Sequence, residues 1–240
     1  MRGKTIVAVS AALFLALPAC SAQTAAKPAA DSRGPLHATL TTPTDIDLSW
    51  TDERPGVEGH LLEFATDEAG PYTPLQYLAR QTTTYRHPDL LPQTTFLYRL
   101  HSYGGPATPS VAVDLPEQDS TEELTDQDWL SPVDRPGHQG ERHSLRTSDA
   151  GAPTALHAEV KDAGGIHFTW TDNSTDEDGF LLEIRRRPGD AFEPVMVMDP
   201  DVDSAGLITL AGEKHASYRV RAYVLGERSN VVRLRTGGEV

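Results

Sequence analysis

Two stretches decide the fold: residues 48–64, LSWTDERPGVEGHLLEF, and residues 168–184, FTWTDNSTDEDGFLLEI. Trp50 matches Trp170, Asp52 matches Asp172, Gly59 matches Gly179, and Leu62-Glu63 matches Leu182-Glu183, each pair 120 positions apart. Tyr98-Arg99 and Tyr103 match Tyr218-Arg219 and Tyr223 at the same interval. The chain therefore holds two copies of one unit. In each copy apolar residues alternate with polar ones: Ile46, Leu48 and Trp50, then Ile166, Phe168 and Trp170. His60, Leu62 and Phe64 repeat the pattern, as do Phe180, Leu182 and Ile184. Period-2 alternation marks half-buried strands. Short strands between Pro, Gly and Asp turns predict an all-β protein of antiparallel sandwiches.

The tryptophan before the acidic loop, Gly-Phe-Leu-Leu-Glu after it and Tyr-Arg-Val-Arg-Ala at 218–222 together resemble a fibronectin type III domain. The resemblance covers about residues 35–115 and 152–237. It implies two immunoglobulin-like, seven-stranded antiparallel sandwiches, with domains at 35–115 and 152–240. It also exposes a departure. The tyrosine expected six residues after a leucine at the corner entering the sixth strand is Phe96 in one copy and Ala216 in the other. Both copies are thus expected to lack the corner hydroxyl, a hydrogen bond worth about 0.5–1.5 kcal/mol.

Residues 116–151 separate the copies. They begin with six acids and no base, Glu117, Asp119, Glu122, Glu123, Asp126 and Asp128, and continue into a turn-rich stretch. Such a segment reads as a flexible acidic linker, with Trp129 as an apolar anchor for docking.

The N-terminus reads as an export signal over 1–19. Arg2 and Lys4 precede an apolar run of 13 residues, 5–17, too short to span a bilayer core of about 30 Å. Cys20 is the single cysteine, so it forms neither an internal disulfide nor a cysteine cluster. Leu-Pro-Ala-Cys at 17–20 resembles the lipobox of bacterial lipoproteins. That resemblance implies lipid attachment at Cys20, a tether over 20–34, and a bilayer as first partner. In the resemblance to Gram-negative lipoproteins, Ser21 rather than an acidic residue after the cysteine implies the outer membrane of the cell envelope. A net charge of −14 argues against nucleic-acid binding, which needs phosphate-neutralising cations.

The acidic loop invites a metal reading. With Gly179 at the sixth position of an EF-hand loop, Ser174, Asp176 and Asp178 would be ligands, but the twelfth position is Arg185, where a carboxylate is required. Another geometry stays open for Asp172, Asp176, Glu177 and Asp178. Against it stands the plainer reading, in which Asp172, Asn173 and Ser174 hydrogen-bond their own turn. The nine histidines are scattered, and no catalytic or cofactor fingerprint occurs. The expectation is no metal, no cofactor and no enzymatic activity.

Strand phase singles out one surface. Arg185, Arg187, Arg219, Arg221, Arg233 and Arg235 should share the outward face of the second copy's third, sixth and seventh strands, relieved only by Glu183. Such a face is either solvated strand decoration or a site for a protein or anionic polysaccharide partner. The functional expectation is a lipid-anchored envelope protein displaying binding modules for adhesion or envelope assembly. The alternative is a spacer or accessory subunit of a larger envelope enzyme or secretion system.

Overall fold

A computed structural model describes residues 35–117, 128–135 and 141–238. The signal at 1–19, the tether at 20–34, Cys20 and the acids at 118–127 lie outside the described residues. The first repeat forms β1 (Leu36–Leu40), β2 (Ile46–Trp50), β3 (Gly59–Ala65), β4 (Thr73–Ala79), β5 (Thr84–His87), β6 (Thr95–Gly104) and β7 (Val111–Asp114). The second forms β8 (Thr154–Val160), β9 (Gly165–Thr171), β10 (Gly179–Arg185), β11 (Glu193–Met198), β12 (Ser204–Ile208), β13 (His215–Arg228) and β14 (Val232–Arg235). The protein is all-β, built as two immunoglobulin-like sandwiches. Registers repeat between copies: Ile46 faces His87 as Ile166 faces Leu207, and Gly59 faces Tyr103 as Gly179 faces Tyr223.

The matched glycines have a steric cause. A Cβ on Gly59 would lie 2.2 Å from the Tyr103 hydroxyl and 2.3 Å from the Leu78 carbonyl oxygen. Gly179, at φ +146°, would place one 2.4 Å from the Met198 carbonyl oxygen.

The closing strands are exchanged. β7 pairs with β13 of the second repeat, and β14 pairs with β6 of the first. Val232 and Leu234 are buried with Leu36, Ile46, Trp50 and Tyr98; Val113 joins Phe168, Trp170 and Tyr218. Each crossover carries a hydroxyl that fixes the receiving strand. Leu100 N–H donates to Ser229 Oγ and Ser229 N–H to the Leu100 carbonyl, both at 2.9 Å. Val220 N–H donates to Thr108 Oγ1 at 3.1 Å, and Thr108 N–H donates to the Val220 carbonyl at 2.9 Å. The expected domains at 35–115 and 152–240 thus each finish in the other's sandwich.

β6 and β13 also pair with one another beyond the sandwiches, through Val224–Gly104 and Leu225–Tyr103. One sheet therefore runs β11-β10-β13-β6-β3-β4, with three-stranded sheets β1-β2-β5 and β12-β9-β8 opposite. Tyr103, Leu181 and Tyr223 form a small core between the repeats, where the Tyr77 and Tyr223 hydroxyls lie 2.9 Å apart.

Two expectations are corrected. Residues 128–135 and 141–151 are not a free linker but fold onto the second repeat. Val133 N–H donates to the Ser204 carbonyl, Asp203 N–H to the Val133 carbonyl, and Gly206 N–H to the Leu130 carbonyl, an isolated bridge along the free edge of β12. Trp129 does anchor this segment, by packing on Gly165 and Gly206. The second correction concerns the corner: the Tyr218 hydroxyl donates to the Glu213 carbonyl at 3.4 Å, so the second repeat does have a corner hydroxyl, two residues later than expected. Tyr98, its counterpart, instead meets His87 Nδ1 at 3.0 Å.

Candidate functional site

The acidic loop between β9 and β10 is built by local bonds. Asp172 Oδ1 accepts from both the backbone N–H and the hydroxyl of Ser174, each at 2.9 Å. This is the side-chain-to-turn bonding that short polar residues favour. Asn173 reaches further, donating to the Ala152 carbonyl at 2.8 Å.

The four carboxylates read as metal candidates do not converge. Asp176 accepts from the Ser144 hydroxyl at 2.6 Å and from Leu145 N–H at 2.7 Å, bonds that hold its carboxyl below the usual range. Asp178 accepts from Leu225 N–H at 2.6 Å and pairs with Arg146 at 3.1 Å. Only Asp172 and Glu177 come together, and the third member is Asp201, with their oxygens within 4.8 Å of one another. Into this cluster comes Arg142. Its Nη2 lies 3.1 Å from Asp172 Oδ2 and 3.7 Å from Glu177 Oε1, and it donates to Asp201. Asp172 is fully buried, and that burial raises its pKa despite the arginine. A cation does meet the acidic loop, and it is a guanidinium from the segment between the repeats. A second arginine of that segment, Arg135, donates to Asp203 Oδ1 and to the Trp170 carbonyl.

The six arginines do not share one exposed face. Arg221 is 3 % exposed; its Nε donates to Glu183 at 2.9 Å, and its Nη2 pairs with Glu58 of the first repeat at 3.1 Å. Arg219 donates to the same Glu183 and stacks on Phe192 at 4.1 Å, with Arg185 at 4.7 Å from that ring. Arg233 and Arg235 leave with β14 for the first repeat, where they meet Glu68 and the Gln93 carbonyl. Arg233 and Arg235 stay exposed there, and of the four arginines left in the second repeat only Arg187, past the end of β10, is exposed. The face fails because pairing of β6 with β13 turns the first repeat over it, and because the seventh strand is exchanged.

The arrangement is duplicated. Glu63 accepts from Arg99 at 2.6 Å and lies 3.3 Å from His101, while Arg99 stacks on Tyr72 at 3.8 Å. Glu63, Arg99, His101 and Tyr72 thus repeat Glu183, Arg219, Arg221 and Phe192. Each set ties neighbouring strands of the one long sheet, β3 to β6 and β10 to β13. Chemically, both sets are charge-assisted clamps.

Comparison with known proteins finds likeness in structure alone. No protein-family model matches the chain, and no curated protein matches it. A fibronectin-type-III-like protein from Clostridium thermocellum is 22% identical over 30% of this chain and 75% of that one, with a TM-score of 0.26. A two-domain fibronectin type III segment of chicken tenascin is 13% identical over 85% of this chain and 99% of that one, with a TM-score of 0.27. The sandwich assignment rests on the strand order and registers above, not on these likenesses.

Proposed function

We propose that the chain is a non-catalytic, lipid-anchored protein of the bacterial cell envelope that presents its two sandwiches as one binding block. The observation that carries this reading is the reciprocal exchange of β7 and β14, together with the β6–β13 pairing. A pair of modules locked in this way offers a partner one fixed surface, and ordering costs on binding are correspondingly small. Two lipid chains on Cys20 would hold the block at a membrane, since each buried methylene contributes about 0.8 kcal/mol. The partner class is a protein or a polysaccharide, engaged away from the inward-facing arginines. One observation favours a spacer instead: the charged groups singled out as a binding face are engaged within the chain.

The test is a crosslinking pull-down from envelopes of cells expressing the full chain, beside a Cys20→Ser variant. A discrete partner captured by the anchored protein supports the binding block. Membrane retention of wild type with no specific capture favours the spacer. Equal membrane retention of both proteins overturns the lipid anchor.

A further inference from the structure

Alignment of the repeats at 120 positions reveals a chemical asymmetry in their packed interiors. His60, His87 and His101 in the first repeat stand where the second has Phe180, Leu207 and Arg221. Registers make these true counterparts: His60 faces Ser102 on β6, and Phe180 faces Ala222 on β13. Phe180 packs against Trp170 at 5.7 Å, while His60 meets Trp50 edge-on at 5.9 Å.

His60 is 2 % exposed; its Nε2 lies 3.1 Å from Asp52 Oδ2, and its Nδ1 is buried without a hydrogen-bond partner among the described residues. It borders a cavity of about 400 Å³ shared with Trp50, Ser102 and Ser229. The charged groups around it are Asp52, Arg54 and Arg80, with Glu53, Glu227 and Arg228 across the cavity. His87 sits among the rings of Phe64, Tyr85, Phe96 and Tyr98. His101 faces Glu63, Arg99 and Arg228 and the Gly226 backbone where β6 and β13 meet.

We propose that His60 and His87 form an acid-sensitive element that opens the first repeat ahead of the second. A proton on His60 would place a charged N–H at Nδ1, where no acceptor waits, beside the Arg54 and Arg80 guanidiniums. A proton on His87 would put charge inside an aromatic cluster. Burial is the leading cause that holds both imidazoles below their usual range, and it outweighs the Glu63 carboxylate at His101 as well. The unfolded chain therefore takes up protons before the folded one does. Stability is full above the ordinary histidine pKa of about 6.5 and falls as pH drops below it. Two further histidines are shifted as well. His167, beneath Trp129, is likewise held low by burial, and surface His215, paired with Asp114 and Glu117, is raised and works in the opposite direction. Opening would release β14 from β6 and undo the exchange on one side only.

Amide hydrogen exchange on the full chain at pH 7.5 and 5.5, corrected for intrinsic rates, tests this. Each proton taken up on opening raises the opening constant by up to about tenfold per pH unit. The expected result is a loss of protection in β2, β3, β6 and β14 at pH 5.5, with β9 and β10 retained. The His60→Phe/His87→Leu variant, which borrows the second repeat's residues, should lose most of this pH response. Should that variant fail to fold, His87→Leu alone should still reduce it. Equal loss in β3 and β10 overturns the proposal, as does an unchanged response in a folded variant.

Discussion

Arg142 and Asp172 are 30 positions apart in sequence, yet the guanidinium lies 3.1 Å from a carboxylate that is fully buried. This pair joins the inter-repeat segment to the loop that caps the second sandwich. Removing one partner of a buried ion pair leaves the other desolvated and uncompensated. Arg142→Ala should therefore cost about 3–5 kcal/mol, read from urea unfolding at pH 7.5. The pH dependence has a definite sign. Burial already raises the Asp172 pKa, and loss of the arginine raises it further. A carboxyl whose folded pKa is raised destabilises the fold as pH rises through the range where it must ionise. The defect should therefore shrink as pH falls toward 5. A defect equal at both pH values would show that Asp172 does not respond to the arginine.

The duplicated clamps make a second contrast. Arg221 is buried and bonded to Glu183, to Glu58 and to the Gly105 carbonyl, whereas Arg187 is exposed. Arg221→Ala should destabilise by about 3–5 kcal/mol, because Glu183 is left buried beside Arg219 alone. Arg187→Ala should stay within about 0.5 kcal/mol. Thermal unfolding of both variants checks this. A neutral Arg221→Ala would mean that the repeats do not close over this face.

What could be read from the sequence follows the range of the interactions involved. Alternation in 46–50 and 166–170 and the matched glycines are local signals, and they mark the strands correctly. The acidic turn also follows local rules, in the bonds from Asp172 to Ser174. Strand exchange is not local. Val111 and Val113 present the same apolar alternation as Val232 and Leu234, so either strand suits either groove, and phase alone cannot choose between them. For the same reason strand phase misplaces the arginine face: two of its six members travel with β14. Arg142 and Asp201 carried no periodic signal, because they matter only once the chain has folded back on β9 and β12.

The segment at 129–133, bridged to β12 at Val133, depends on two glycines. A Cβ on Gly206 would meet Trp129 at 2.6 Å and the Leu130 backbone at 2.7 Å, and one on Gly165 would meet Trp129 at 2.6 Å. Gly206→Ala should detach this segment while leaving the sandwich core intact. Trp129→Ala should have the same effect by losing about 1–3 kcal/mol of apolar burial. Limited proteolysis should then cut within 128–135 in both variants faster than in wild type, with the two sandwiches surviving as protected fragments. Wild-type cleavage rates in both would mean that the segment does not rely on the tryptophan.

Exchange of the closing strands can be tested by covalent capture. Thr95 and Arg235 are register partners across β6 and β14, while Asp114 pairs with His215. His215 is the counterpart of Thr95, so a first repeat closed on its own strand would bring Asp114 opposite Thr95 instead. Antiparallel partners have Cα atoms about 4.5–5.5 Å apart, within the range a disulfide spans. In a Cys20→Ser background, Thr95→Cys/Arg235→Cys should oxidise to an intramolecular bridge in monomer isolated by size exclusion. Thr95→Cys/Asp114→Cys should remain reduced, although its partners are much nearer in sequence and their loop is less costly to close. Peptide mapping distinguishes the two bridges. A bridge in the second pair and none in the first would mean that each sandwich closes on its own seventh strand. Arg233 and Arg235 would then return to the second repeat, beside Arg219.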